Sequence, residues 1–194
     1  MNITIIGAGN IGKTLGQKWS ASGHQVTYGV RNPADPKNSG LHVTPVAEAL
    51  AGAHVVLLSL PGAAVNEFAL NFGGDLSGKI IIDATNNPRS PVLNNIAALQ
   101  SASPDALLMR AFSTLGWENF ENPVLGGQQI DLFYAGNPAA RTITEQLIRE
   151  IGLRPVYLGG LEAVPAVDGL TLTWFALAFG QGKGRRFAFK LIEE

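Results

Sequence analysis

Six residues near the start of the chain have the types and the spacing that bind phosphate groups. The sequence Gly7-Ala8-Gly9-Asn10-Ile11-Gly12 places three glycines in a G-x-G-x-x-G pattern. In a dinucleotide site each of these glycines has its own task. Gly7 permits a tight turn, Gly9 leaves room for the pyrophosphate, and Gly12 lets a helix pack closely on a strand. The spacing therefore indicates a dinucleotide site, provided that the neighbouring elements fit.

The residues on either side of the glycines supply the elements that such a site needs. Ile3, Ile5 and Ile6 form a short apolar run typical of a buried strand, and residues 13–22 follow a helical pattern. A helix that starts at the glycines points its free amides, and the positive end of its dipole, at the phosphates. A glycine-rich turn without a ligand is the alternative. The order strand, turn and helix favours the dinucleotide site.

The second predicted strand ends in residues that select between NAD and NADP. This strand is His24–Tyr28, and Gly29-Val30-Arg31-Asn32-Pro33 follow it. A site that prefers NAD has Asp or Glu here, because a carboxylate accepts from the ribose hydroxyls. This chain has Arg31 and Asn32 instead, with Lys37 nearby. Since a guanidinium forks onto a phosphate, we expect NADP, and a solvated loop arginine is the alternative.

Further apolar runs alternate with helical patterns along the rest of the chain. Strands are predicted from Val43 and at Val55–Leu60, Lys79–Asp83, Ala106–Phe112, Ile130–Ala135 and Pro155–Leu158. Helices are predicted from Thr44-Pro45 to Leu50 and at Ala63–Phe72, Val92–Gln100, Asn137–Ile151 and Pro165–Phe179, with a loop at Ser113–Gly127 and a last apolar segment at Phe187–Ile192.

This alternation predicts an α/β fold of the Rossmann type. We expect a doubly wound, mainly parallel sheet with helices on both faces and a C-terminal addition of helix or strand. One NAD(P)-binding domain is expected over residues 1–194, with a core at 1–112 and an acceptor-side extension at 113–194.

Composition and charge exclude several other kinds of protein. The chain has 194 residues, a net charge of −1 and no Cys, so a general affinity for nucleic acid and a thiolate site are both excluded. No run approaches the ~18 apolar residues that span a bilayer. Because the first residues enter the predicted strand directly, we expect no signal peptide. We therefore expect a cytoplasmic protein that binds neither membrane nor nucleic acid.

Ligands of a doubly wound sheet bind beyond the carboxyl ends of its strands. Leu60-Pro61, Thr85-Asn86 and Ser113-Thr114 each follow a strand, so we expect them to line one crevice with the glycines. The three histidines precede or begin strands, which places them at the opposite edge. No acid–base pair or metal-ligand spacing converges on the crevice, so we predict no catalytic residue and no metal site. Hydride transfer needs neither, because the reactive atoms belong to the cofactor and its acceptor.

Two charged features indicate structural roles. Asp83 ends a predicted strand, where we expect its carboxylate to bind the amides of the next loop. The segment Gly180–Arg186 is similar to a phosphate loop but lacks the spacing and the Ser or Thr after its lysine. We interpret this segment as a basic turn between two apolar stretches.

On these residues the chain resembles the coenzyme F-420-dependent NADP oxidoreductase family, whose members exchange hydride between NADPH and a deazaflavin. It is also similar to the NADPH-binding domain of the STEAP metalloreductases. The resemblance covers nearly the whole chain and includes Ile5–Gly12, Arg31-Asn32-Pro33, Asp83–Asn86, Arg110–Gly116, Leu158–Leu161 and Gly180–Leu191.

The resemblance implies which residues hold the cofactor. By this resemblance, the pyrophosphate is bound by Gly9, Asn10 and Ile11, and the 2′-phosphate by Arg31 and Asn32. The nicotinamide half is bordered by Leu60, Pro61 and Asn86. The other residues expected at the cofactor site are Gly7, Gly12 and Lys37. The family has Lys and Asn where this chain has Arg110 and Ser113, and often an arginine near Pro165. Because Ser113 and Pro165 lie on the acceptor side, the NADP expectation stands while the acceptor stays open.

We therefore expect an NADPH-dependent oxidoreductase that transfers hydride to coenzyme F-420 or to a flavin such as FMN or FAD. Two alternatives stay open: a reductase of a small carbonyl or imine, which would need a proton donor, and an NADPH-binding sensor without turnover. A homodimer is also expected, because Trp174–Phe179 and Phe187–Leu191 are apolar for the end of a small domain. The alternative is that these residues pack over the sheet.

Overall fold

Ten strands form in the computed structural model, which describes residues 1–194. They are β1 (Asn2–Ile6), β2 (Gln25–Val30), β3 (Val43–Pro45), β4 (Val55–Leu58), β5 (Ile80–Asp83), β6 (Leu107–Arg110), β7 (Val124–Leu125), β8 (Gln128–Gln129), β9 (Asp131–Gly136) and β10 (Arg154–Tyr157). Eight of them make one sheet in the order β10-β9-β6-β5-β4-β1-β2-β3, and β7 and β8 pair separately.

The sheet is mainly parallel, as predicted. Strands β1 to β6 run in one direction, β9 runs antiparallel to β6, and β10 runs parallel to β9. The strand order reverses at β1, since the chain moves from β1 outward to β2 and β3 and then returns to β4 on the other side. Such a switch point opens a crevice at the carboxyl edge of the sheet. The Rossmann-type fold class is confirmed.

Seven α-helices cover the sheet: α1 (Asn10–Ala21), α2 (Val46–Ala51), α3 (Val65–Phe72), α4 (Ile96–Ala102), α5 (Trp117–Glu121), α6 (Arg141–Glu150) and α7 (Val164–Phe175), the last continuing in a wider turn to Gly180. One apolar layer holds Trp19 of α1, Phe120 of α5 and Leu147 of α6. The other holds Phe68 of α3 and Val167 of α7, with residues of α2 and α4. Helices therefore pack on both faces of the sheet.

The region after β6 differs from the sequence prediction. Residues 113–127, predicted as one loop, contain α5 and β7, and β7 pairs with β8 directly after them. The C-terminal addition predicted as helix or strand contains the helix α7, and the last apolar segment, Phe187–Ile192, forms neither helix nor strand. Trp174 stacks on Phe187 at 5.4 Å between ring centroids, and the Leu191 amide donates to Asp131 Oδ2 at 2.8 Å. Ring stacking and single hydrogen bonds, rather than sheet pairing, therefore hold this segment.

Helix α7 also corrects an expectation. The continuous helical stretch Leu161–Gly180 has 20 residues and a mean hydropathy of 1.4, long and apolar enough to cross a membrane by length and composition. The sequence prediction counted uninterrupted apolar residues, and Asp168 and Gly169 interrupt them. Core helices of folded proteins pass the same test. Here Val164, Val167 and Trp174 are buried against the rest of the chain.

Candidate functional site

The turn between β1 and α1 requires glycine at two positions. Gly7 has φ +105°, and a Cβ there would lie 2.9 Å from the carbonyl oxygen of Ser59. A Cβ on Gly12 would overlap the Gly7 carbonyl oxygen and lie 2.6 Å from Ser59 Oγ. The same hydroxyl donates to Gly7 O at 2.8 Å, which ties the turn to the end of β4. The fold itself therefore requires glycine at both positions, at Gly7 for the tight turn and at Gly12 for the close contact between helix and strand.

Gly9 differs from these two glycines. Its φ is −79°, and a Cβ placed on it would meet no protein atom within 4 Å. Helix α1 begins at the next residue, has no side-chain cap and has no acidic residue in its first turn. The backbone amides at this helix start are thus open to an anion, and the helix dipole favours negative charge there. The space at Gly9 fits a phosphate group.

The loop after β2 presents one uncommitted guanidinium. Arg31 is exposed and takes part in no ion pair or side-chain hydrogen bond. Asn32 Oδ1 accepts from the Ala34 amide at 3.2 Å, so this side chain shapes the loop. Asn38 supports the loop from below, donating from Nδ2 to Asn32 O at 3.0 Å. Arg31 is therefore held on an ordered loop with its donors free.

Lys37 and an unpredicted lysine also lie at this loop. Lys37 Nζ pairs with Asp35 Oδ2 at 2.8 Å, and the hydrogen bonds from Lys37 lower the pKa of the Asp35 carboxyl. Lys13 of α1 donates from Nζ to Lys37 O at 3.0 Å, which brings its charge beside the loop. Sequence reasoning missed Lys13, although its place in the first turn after the glycine motif was a usable signal. The charge of Lys37, unlike that of Arg31, is already balanced.

Residues 59–62 and 84–87 meet beyond the ends of β4 and β5. A Cβ on Gly62 would lie 2.5 Å from Asn86 O, so the two segments are in close backbone contact. This contact brings Leu60 and Pro61 beside Asn86, as predicted for one crevice. Leu60 and Asn86 are half-buried and Pro61 is exposed. The crevice therefore has an apolar wall and a polar wall at this point.

A buried guanidinium lies behind the polar wall. The Arg110 side chain is fully buried, and its Nε donates to Asp168 Oδ1 at 2.9 Å. Its other nitrogens donate to the carbonyl oxygens of Asp83 and Thr85, and to Asn86 Oδ1 at 2.7 Å. Two carboxylates, Asp83 and Asp168, lie within ion-pair distance. Charge and hydrogen bonds are thus satisfied on every side, as a buried cation requires.

Asp83 has the role expected from the sequence. One carboxylate oxygen accepts from the amide and hydroxyl of Thr85 at 2.9 and 2.6 Å. The other accepts from the Asn95 amide at 3.0 Å. Since this contact fixes Asn95 outside the helix, α4 begins at Ile96 rather than at the predicted Val92. Asp83 therefore organises the loop that carries Asn86.

The segment after β6 contains a strained residue. Phe112 has φ +60°, the only positive φ outside glycine, and its ring packs edge-on against Trp19 and Phe120 at 5.8 Å each. This strain explains why β6 ends at Arg110, short of the predicted Phe112. The hydroxyls of Ser113 and Thr114 that follow are buried without a hydrogen-bond partner. Packing of the Phe112 ring therefore holds this turn against an unfavourable backbone.

The histidines lie at the amino edge of the sheet, away from the crevice. His24 Nε2 contacts Glu150 Oε2 at 2.7 Å and its Nδ1 contacts the N-terminal amine at 3.1 Å. His54 Nδ1 accepts from the Asn2 amide at 3.3 Å. His42 lines a polar groove of about 190 Å³ on the same side. No three His, Asp or Glu side chains are grouped as metal ligands.

The basic C-terminal segment binds the protein's own backbone. Arg186 donates to the carbonyl oxygens of Glu118, Asn122 and Val124 at 3.1, 2.7 and 3.0 Å, which caps the C-terminal end of α5. Arg185 pairs with Glu118 Oε1 at 2.7 Å. These guanidinium groups already have their acceptors, in agreement with a basic turn rather than a phosphate loop.

The fold and the glycine turn define a Rossmann-type dinucleotide-binding domain. Residues 2–87 match the model of the family described as "NADP oxidoreductase, coenzyme F-420-dependent", which confirms the resemblance inferred from the sequence. The match covers the part of the chain that carries the glycine turn, Arg31 and Asn86.

Individual relatives agree with this family. The metalloreductase STEAP2 of Mus musculus is 27% identical over 183 residues, which are 91% of this chain and 37% of the relative. The chain therefore spans little more than a third of the curated relatives' length. A candidate F-420-dependent NADP reductase from Arthrobacter sp. fb24 is 25% identical, with a TM-score of 0.85 over 100% of both chains. A reductive aminase from Aspergillus terreus, solved with NADPH and ethyl-5-oxohexanoate, shares the fold at 22% identity, with a TM-score of 0.68 over 93% of this chain and 61% of its own.

Proposed function

We propose that the chain is an NADPH-dependent oxidoreductase that passes hydride to a flat ring acceptor, a deazaflavin such as coenzyme F-420 or a flavin. The phosphates are held at the start of α1 and on the loop after β2, and the nicotinamide lies between the ends of β4 and β5. The residues that we assign to cofactor binding are Gly7, Gly9, Asn10, Ile11, Gly12, Arg31, Asn32, Lys37, Leu60, Pro61 and Asn86.

The free guanidinium of Arg31 is the feature that favours binding of NADP over NAD. Arg31 is exposed directly after β2 and pairs with no carboxylate, whereas the nearest acid along the sequence, Asp35, is already paired with Lys37. A dianionic 2′-phosphate gives Arg31 a bidentate partner. Lys13 adds positive charge from the other side of the loop. Charge around the loop thus favours the phosphorylated ribose.

The ionisable groups nearest to the nicotinamide end favour a ring acceptor. Arg110 is buried and binds both Asp83 and Asp168, so all three side chains are engaged in structural contacts. NADPH supplies the hydride when it is bound. The protein's part is to align the two rings and exclude water between Leu60, Pro61 and Asn86. A ring acceptor that carries its own proton-accepting nitrogen suits this site better than a carbonyl, which needs a proton donor.

Calorimetric titration of NADPH and NADH tests the cofactor assignment. The wild type should bind NADPH well and NADH poorly. Replacing Arg31→Ala should weaken NADPH binding by about tenfold or more and leave NADH unchanged, because a hydrogen bond to a charged group is worth about 1.5–3 kcal/mol. The matched control is Lys37→Ala, whose effect should be smaller. Equal affinities for both nucleotides in the wild type would end the NADP assignment.

Acceptor identity is tested by following NADPH absorbance without oxygen. Coenzyme F-420, FMN, FAD, a ferric chelate and a cyclic imine are supplied in turn. Oxidation with the deazaflavin or a flavin supports the proposal. Oxidation of NADPH with the ferric chelate alone would instead identify a metalloreductase, and oxidation with the imine alone would identify an imine reductase. Tight binding of NADPH with no acceptor consumed would identify a sensor.

Assembly as a homodimer is part of the same proposal. Leu172 of α7 and Phe179 of the wider turn that continues it are exposed, with exposed fractions of 55% and 60%. Trp174, Phe175 and Phe187 form an aromatic cluster next to them. A second copy of the chain would cover this apolar surface. Light scattering at micromolar concentration should give twice the chain mass, and a monomeric mass would exclude the dimer.

A further inference from the structure

The contacts of Arg110 determine which end of the Asn86 amide faces which neighbour. A guanidinium has five N–H donors and no acceptor. Arg110 approaches the Asn86 side chain at 2.7 Å, so the atom of Asn86 at this contact must be its oxygen. The amide nitrogen of Asn86 therefore lies on the other side, where it donates to Ser113 O at 3.1 Å. The oxygen and the nitrogen of an amide are almost equivalent in shape, so without Arg110 shape alone would not determine the orientation of Asn86.

One donor of Asn86 is left over in this arrangement. The amide nitrogen carries two hydrogens, and the contact with Ser113 O uses one of them. Asn86 is half-buried at the wall that it shares with Leu60 and Pro61, while Arg110 behind it is fully buried. The polar wall of the crevice thus offers an N–H donor. A ligand atom that binds there must be a hydrogen-bond acceptor.

We propose that Arg110 is a positioning residue that sets Asn86 as a hydrogen-bond donor to the carboxamide oxygen of the nicotinamide. This inference rests on the proposed function, which places the nicotinamide at this wall. With the amide reversed, its oxygen would face the carboxamide oxygen, and the two acceptors would repel each other. Fixing the carboxamide fixes the plane of the ring from which hydride leaves.

Asp168 extends this arrangement to helix α7. It accepts from Arg110 Nε at 2.9 Å with one carboxylate oxygen and from Asn94 Nδ2 at 2.7 Å with the other. Asp83 lies on the opposite side of the same guanidinium. Held between two carboxylates, the guanidinium cannot turn away from Asn86 without breaking charged contacts. The orientation of Asn86 is therefore fixed by residues from three separate parts of the chain.

Binding of three nucleotides tests the inference. NADP⁺ is compared with its thionicotinamide analogue, whose sulfur is a weaker acceptor, and with 2′,5′-ADP, which lacks the nicotinamide. The wild type should bind NADP⁺ about three- to tenfold more tightly than the thio analogue, the range expected for one hydrogen bond. Asn86→Ala and Asn86→Asp should abolish this preference and leave 2′,5′-ADP binding unchanged. The aspartate variant keeps the contact with Arg110, so it serves as the control that folds.

Two variants of Arg110 separate positioning from stability. Arg110→Lys keeps a donor-only cation and should keep the preference for NADP⁺, whereas Arg110→Met should lose it. A merely structural role would change the melting temperature and leave the preference intact in every folded variant. An Asn86→Ala protein that still prefers NADP⁺ would overturn the inference, and so would a wild type with no preference. Failure of 2′,5′-ADP and both dinucleotides to bind would instead overturn the proposed function on which it rests.

Discussion

The two halves of the crevice are built in different ways. The adenosine half, named for the part of NADPH that we propose it binds, consists of the glycine turn and the loop at residues 31–40, with open backbone and an exposed arginine. The nicotinamide half, named in the same way, consists of residues 59–62, 84–87 and 111–114, and a fully buried arginine supports it. Arg31 has no protein partner, while Arg110 has six acceptor contacts or ion pairs to Asp83, Thr85, Asn86 and Asp168. One arginine is available for a ligand, and the other maintains the wall on which a ligand rests.

The largest difference between the halves should appear in stability. Arg110→Met leaves Asp83 and Asp168 buried without their cation, and removing one partner of a buried pair typically lowers the free energy of unfolding by about 3–5 kcal/mol. Arg31→Ala should change it by less than about 0.5 kcal/mol, as for most surface positions. Urea unfolding measures both. Equal stability of the two variants would show that the halves do not differ in this way.

A second comparison separates two glycines of the same turn. Gly9→Val should fold, because Gly9 has φ −79° and an open Cβ position, yet lose NADPH binding by about a hundredfold, near 2.7 kcal/mol. Gly12→Val should instead lower stability by about 1–3 kcal/mol, because its side chain overlaps the Gly7 carbonyl and Ser59. Circular dichroism and calorimetry distinguish the two losses. A folded Gly9→Val protein that binds NADPH normally would place the phosphates elsewhere.

One substitution in the adenosine half is expected to increase the affinity of the protein for NADPH. Asp35→Asn removes the carboxylate that holds Lys37 and frees its ammonium group for the 2′-phosphate. NADPH should bind about threefold more tightly at low salt, with a smaller gain at high salt because both groups are exposed. NADH affinity serves as the control and should not change. Unchanged or weaker NADPH binding would show that Lys37 does not reach the phosphate.

The smallest expected effect concerns the C-terminal tail, whose Lys190 side chain and Leu191 amide both bind the Asp131 carboxylate. Burial alone raises the pKa of Asp131, but hydrogen bonds from Arg154, Lys190 and the Leu191 amide outweigh it and lower the pKa. A lowered pKa stabilises the fold above the unfolded value of about 3.9, and this contribution is lost as the pH falls through the folded value.

Acid should therefore loosen the tail before it unfolds the sheet. The protection factor of the Leu191 amide, which is the exchange rate of an unstructured amide divided by that of Leu191 at the same pH, is followed by NMR from pH 6 to pH 3. It should fall in the wild type below about pH 4. In Asp131→Asn the same amide should already exchange fast at pH 6. A Leu191 amide equally protected at pH 3 and pH 6 would show that Asp131 does not hold the tail.

The difference between the halves also decides what could be predicted from sequence. The turn at Gly7 and the helix after it depend on neighbouring residues, so a local pattern was sufficient. The contacts of Arg110 join residues 24 to 58 positions away, and nothing in the sequence near Arg110 indicates Asp168. Likewise, Arg186 is recognisable as basic, but its acceptors on α5 and the residues directly after it lie 62 to 68 residues earlier. Cofactor assignments for individual residues stay predictions.

The distance between Arg110 and Asp168 along the chain matters for the order in which the protein assembles during synthesis. Strand β6 leaves the ribosome 58 residues before the carboxylate that completes its ion pairs. Until α7 is made, Arg110 Nε has no Asp168 oxygen to bind, and a nascent chain that closed its core around β6 would bury this donor without its acceptor. We therefore expect the last step of folding to wait for the C-terminal helix. A ribosome-bound chain that ends before α7 should therefore keep the end of β6 open to solvent.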